Sequence, residues 1–153
     1  MIKGVIAKRL REEAKKLNVS LEEYLLELLT QNLDPKERAR EYIKASEELL
    51  VEAREELRKG DVRQAAEKVW GATALAVKAY AFWRKGKRLT SHSDLWEYKR
   101  RLEDELGDWA GDAWARAVEM HVCFYEGWCN RVDVGKALKA VEKLVKEVGQ
   151  RIL

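Results

Sequence analysis

Apolar residues recur three and four positions apart along almost the whole chain, and that spacing predicts helices rather than strands. Val5, Ile6, Leu10, Ala14 and Leu17 mark a first helix. Ser20, with Glu23 three residues on, forms a capping box that opens a second. That helix, over about 21–32, is expected to bury Leu21, Tyr24, Leu25, Leu28 and Leu29. Asp34, Pro35 and Glu37 give a second box with proline at the first helical position, and a long helix then runs to about Lys59. Gly60 is a stop and Asp61 the next cap.

Residues 62–85 form the most apolar helix, in which alanines alternate with Val69, Trp70, Val77 and Tyr80. Side chains that small let neighbouring backbones approach closely. "GKRLTSHSD" reads as a loop closed by Ser91 or Ser93 as a cap. Three more helices follow, over about 94–106, about 108–126 and about 134–150, separated by Gly107 and by Gly127 with "CNRVD". The even spacing of Trp70, Trp83, Trp96 and Trp109 crosses three helix breaks and fits no helical period, so it is not a repeat. A boundary near Asp34 divides the chain into a helical hairpin, 1–33, and a bundle of four or five core helices, 34–153. The expected fold is an all-α antiparallel bundle with an N-terminal hairpin.

Composition narrows the function classes. The 153 residues fit one domain with a sizeable core. Charged residues make up 37% of the chain in both signs while Asn and Gln are scarce, a pattern of hyperthermophile proteins. A net charge of +3 gives no strong electrostatic case for nucleic acid, though it leaves room for a local basic patch. Cys123 and Cys129 lack a CxxC spacing and read as reduced, small core residues. A bridge between them stays open, because hyperthermophile cytosols tolerate disulfides. No apolar run reaches the roughly 18 residues that span a bilayer, and the first residues hold no signal-peptide core, so a cytoplasmic protein without membrane contact is expected.

Three stretches carry a resemblance: Ala66 to Ala72, "AEKVWGA"; Leu89 to Trp96, "LTSHSDLW"; and His121 to Gly127, "HVCFYEG". With the upstream "LDPKERAREYIKASEELLVEAREELRKGD" they make the chain resemble the archaeal PaREP family over about residues 20–150. The resemblance implies an all-α bundle. That bundle is similar to the HEPN superfamily, which includes ribonucleases, nucleotide-binding modules and partners of nucleotidyltransferases; this is an analogy of fold.

HEPN ribonucleases use an arginine followed, four to six residues on, by a histidine, and "RAVEMH" supplies Arg116 and His121. Histidine can move protons near neutral pH and arginine can stabilise a phosphorane-like transition state. The polar residue that usually follows the arginine is Ala117 here. On one continuous helix the two side chains stand about 140° apart. The plainer reading pairs Arg116 with Asp112 or Glu119 and half-buries His121 beside Tyr125.

His92 sits at a helix start, where it packs over Trp96 or helps Lys87 and Arg88 hold a phosphate. Arg84, Lys85, Lys87 and Arg88 form a basic turn, readable as helix-end cations or as a phosphate patch beside a stacking Trp83. Glu67 and Lys68, and Glu126 next to Tyr125, are either a buried polar network or ordinary surface. No pair shows metal-ligand spacing such as CxxC or HExxH, and no cofactor is expected. The first 33 residues superficially resemble a ribbon-helix-helix DNA binder, which needs a strand where "MIKGVI" stands.

Taken together, the residues favour a non-enzymatic bundle that binds a protein, nucleotide or RNA partner, through Arg84, Lys85, Lys87, Arg88, His92, Tyr125 and Glu126. A homodimer is expected, because aromatic and alanine-rich faces exceed what one small bundle hides. The alternatives are a metal-independent ribonuclease using Arg116 and His121, and a DNA-binding regulator acting through the hairpin.

Overall fold

A computed structural model describes residues 3–153 and divides the chain into two compact units, Met1–Asp34 and Pro35–Leu153. The first unit holds α1 (Gly4–Lys16) and α2 (Leu21–Thr30). Ser20 caps α2 by accepting the Glu23 amide at 3.1 Å. Helix begins at Gly4, so among the described residues none forms the strand that a ribbon-helix-helix fold requires; Met1 and Ile2 of "MIKGVI" lie outside them. The stripe expected to be buried on α2 is not. Leu21, Tyr24 and Leu25 are half-buried, Leu28 is exposed and Leu29 is 80% exposed, because α1 covers only part of a two-helix unit.

The second unit holds α3 (Pro35–Lys59), α4 (Val62–Lys85), α5 (His92–Leu106), α6 (Asp108–Glu126) and α7 (Arg131–Ile152). α4 is the central helix and touches all four others. Its residue choice explains this position. Ala65, Ala66, Ala72, Ala76 and Ala79 are fully buried, and they let α3 lie close enough for the Ser46 hydroxyl to donate to the Ala72 carbonyl at 2.6 Å. At Gly71 a Cβ would come within 3.3 Å of Leu49. Asp61 starts α4 by accepting the Gln64 amide. Gly86 ends it in the left-handed conformation, φ 60°, donating to the Phe82 carbonyl.

α7 starts earlier than the apolar spacing predicts. Asn130 accepts the Asp133 amide while Asp133 accepts the Asn130 amide, both at 2.9 Å. This reciprocal box satisfies two amides that would otherwise lack partners. No helix among the described residues is long and apolar enough to cross a membrane.

Candidate functional site

Two helical periods build the site. Glu67 and Trp70, three apart on α4, share a face, as do His121 and Tyr125, four apart on α6. α4 packs on α6, and the two faces meet. His121 Nδ1 lies 3.0 Å from Glu67 Oε2 and 3.2 Å from Oε1. A carboxylate only accepts, so Nδ1 carries the hydrogen and Nε2 is left for another partner. The His121 ring lies against Trp70, centroids 5.1 Å apart, and Tyr125 meets it edge-on at 5.2 Å.

His92 joins from α5. Ser91 caps that helix by accepting the Asp94 amide, and Asp94 accepts the Thr90 amide in return. The Thr90 amide is the main reason the Asp94 carboxyl is held below its ordinary value, with Lys87 contributing its charge. His92 therefore starts the helix and stacks on Trp70, 6.0 Å away and 11° from parallel; it does not pack over Trp96. Its ring is 6.2 Å from that of His121. The result is a cluster of rings in which His92, Trp70 and His121 meet one another and Tyr125 adds to His121. Trp70 is buried, whereas Tyr125 is 67% exposed. Trp114, fully buried, backs Trp70 edge-on, and the exposed Trp96 packs on Trp114.

Two devices fix the end of α6. Arg63, one turn before Glu67, donates to the Phe124 carbonyl at 2.8 Å and to the Tyr125 carbonyl at 3.2 Å. It thereby satisfies helix-terminal acceptors and meets the negative end of the dipole. Cys123 and Cys129 form a disulfide across the Gly127 turn, Cα atoms 5.7 Å apart. This corrects the reading of two reduced core thiols. Cys123 is buried as expected, but Gly127 at φ 73° reverses the chain and returns Cys129 to it.

Other candidates lie elsewhere or are already engaged. Arg116 and His121 share the unbroken helix α6, which keeps their side chains about 140° apart. Among the described residues no hydrogen bond or ion pair joins Arg116 to His121, and the expected pairing with Asp112 or Glu119 is not formed; Arg116 is exposed. Arg84 is bound to Glu105 through Nε at 2.9 Å and through Nη2. Lys85, Lys87 and Arg88 are exposed, and Glu126 is exposed at the last residue of α6. Lys68 pairs with Glu52 at 2.8 Å, so the adjacent Glu67 and Lys68 serve different neighbours. No three His, Cys, Asp or Glu side chains among the described residues converge as metal ligands would.

The family model described as the archaeal PaREP1/PaREP8 family matches residues 41–145. The chain belongs to that family. The matched PaREP1/PaREP8 span runs from within α3 to within α7 and takes in Glu67, Trp70, His92, His121 and Tyr125. It leaves out the hairpin of α1 and α2. No curated protein and no solved structure matches the sequence.

Proposed function

We propose that this PaREP1/PaREP8 protein is a non-enzymatic binding module for a nucleotide unit, a base with its phosphate, presented free or within single-stranded RNA. The cluster of rings formed by His92, Trp70, His121 and Tyr125 carries the reading. Bases stack on aromatic faces, each worth about 1–3 kcal/mol. Beside the rings stands an imidazole already oriented by Glu67, with Nε2 free of that carboxylate. Lys87, in the loop before α5 and near enough to Asp94 to act on its charge, supplies a cation for phosphate at the helix N-terminus. The bundle is read as HEPN-like and the protein as cytoplasmic. The Cys123–Cys129 bridge fits the disulfide-tolerant interior of a hyperthermophile.

Tryptophan fluorescence titrated with a nucleoside monophosphate, a short single-stranded RNA and inorganic phosphate tests this. Tyr125→Ala and His121→Ala should each weaken nucleotide or RNA binding about tenfold, equivalent to 1.4 kcal/mol, while Arg116→Ala leaves it unchanged. Phosphate alone should bind weakly. Tight RNA binding with weak mononucleotide binding identifies the polymer as the source. If none of the three quenches the wild type, the reading fails and a protein partner takes its place.

A second reading, metal-independent RNA cleavage, draws on the Glu67–His121 pair and the nearby His92, an arrangement suited to proton transfer. Arg116 would then have to come from a second copy, since its own helix turns it away. RNA cleavage without added metal that His121→Ala abolishes, with helicity unchanged, would favour this reading over simple binding.

A further inference from the structure

The hairpin buries its apolar surface only in part: Leu10, Leu21, Tyr24 and Leu25 are half-buried, and Ile6, Leu17, Leu28 and Leu29 are exposed. Among its described residues only Ala7, Ala14 and Thr30 are buried. None of its leucines, valines, tyrosines or described isoleucines is. Ile6 is 64% exposed, Leu17 is 43% exposed, and both stand on the side of α1 that carries Leu10. On α2, Leu21, Tyr24, Leu25 and Leu28 follow the i, i+3, i+4, i+7 spacing of a helix-packing seam, with Leu29 beside them. Such a stripe is built to meet another helix, since polar residues would otherwise face water there.

Charge says which helix. α1 carries Lys8, Arg9, Arg11, Lys15 and Lys16. Only Glu12 and Glu13 oppose them. α2 carries Glu22, Glu23 and Glu27 and no cation. One helix is therefore basic and the other acidic. In a two-fold pair of hairpins, each α1 can lie beside the partner's α2 as well as its own. Every helix in the resulting four-helix arrangement then has neighbours of opposite charge. A surface carrying both halves of such a match is self-complementary, which is what an isologous dimer interface requires. A DNA backbone or an anionic membrane would attract α1 but repel α2.

We infer that the α1–α2 hairpin docks on the same hairpin of a second copy of this chain, closing an antiparallel four-helix bundle through the Leu21–Leu28 stripe.

Sedimentation of the full chain at about 100 µM, where a micromolar Kd leaves mostly dimer, provides the test. The wild type should run at twice the 17.8 kDa chain mass. Leu29→Glu, at an exposed position and so without effect on folding, should shift it to the monomer. Glu22→Lys should weaken the dimer by tenfold or more, and Glu22→Lys combined with Arg11→Glu should restore part of the loss. Val51→Glu, exposed on α3, should leave the dimer intact. Helicity by circular dichroism confirms that each variant is folded. A monomeric wild type overturns the proposal, and so does a dimer that Leu29→Glu spares. Dissociation by Val51→Glu alone would place the interface on the five-helix bundle and overturn it equally. Duplex DNA or anionic vesicles that bind wild-type monomers and lose Leu29→Glu would assign the stripe to another occupant.

Discussion

Single side chains on α4 show how burial sets chemistry in this protein. The Tyr80 phenol is pushed up to about 12, first by burial and then by donating to Glu105. Glu105 in turn is held below its ordinary value: partial burial pushes it up, and its bonds to Arg84 and Tyr80 outweigh that. The sign for Tyr80 follows from linkage. An unfolded tyrosine titrates near pH 10, so the fold favours the neutral form, and this contribution is complete below about pH 10. It is lost as pH rises through about 12. Denaturant midpoints measured from pH 9 upward should fall steeply across that window. Tyr80→Phe should flatten the fall without abolishing it, because burial also raises Tyr98.

Much of the residue-scale site was visible from the start, and the missing part has a plain cause. His92 and His121 are the only histidines, and Tyr125 stands one turn from His121. Glu67 could not be assigned, because its partner lies 54 positions away on another helix and nothing in the spacing of α4 marks it. Its place three residues before Trp70, on the packed face of an alanine-rich helix, was the available signal. Arg116 shows the limit of a motif read along the chain. A motif match in the chain does not bring two side chains together when one continuous helix holds them apart.

At the scale of elements, the strongest local signals set the boundaries. Asp61 caps α4 as its sequence predicts, and Gly86, the first residue of the predicted loop, ends it in the left-handed conformation. The start of α7 was harder to read because its box uses Asn130 and Asp133 in place of the commoner Ser or Thr with Glu. Asn130→Ala should cost about 1 kcal/mol, as other N-cap removals do. Hydrogen exchange should speed up in the first turn of α7 and stay slow around Val141 and Val145. A gain in protection there, or an unchanged unfolding midpoint, would show that the box contributes nothing. The stripe on α2 teaches a different lesson. Periodicity says which residues share a face, but not what covers that face.

For the molecule as a whole, the Cys123–Cys129 loop is the one covalent cross-link among the described residues, and the residues it encloses include Tyr125. Closing a loop this short restricts the unfolded chain by about 2 kcal/mol on the chain-entropy account. Adding a thiol reductant should therefore lower the unfolding free energy by about that amount and shift the unfolding midpoint down accordingly. It should also weaken ligand binding more than Asn130→Ala does, since Tyr125 and the last turn of α6 lose their clamp. An identical midpoint with and without reductant would count against both expectations. Sequence could not settle the bridge: six positions separate the sulfurs, and only the reversal at Gly127 brings them together.

That bridge makes sample handling part of the protein's chemistry. Material prepared with reductant and material left in air would share a fold but differ in how firmly Tyr125 is presented. Two laboratories could then report different affinities for one sequence. Comparing the oxidised and reduced forms side by side turns that discrepancy into a direct measure of how much the clamp contributes.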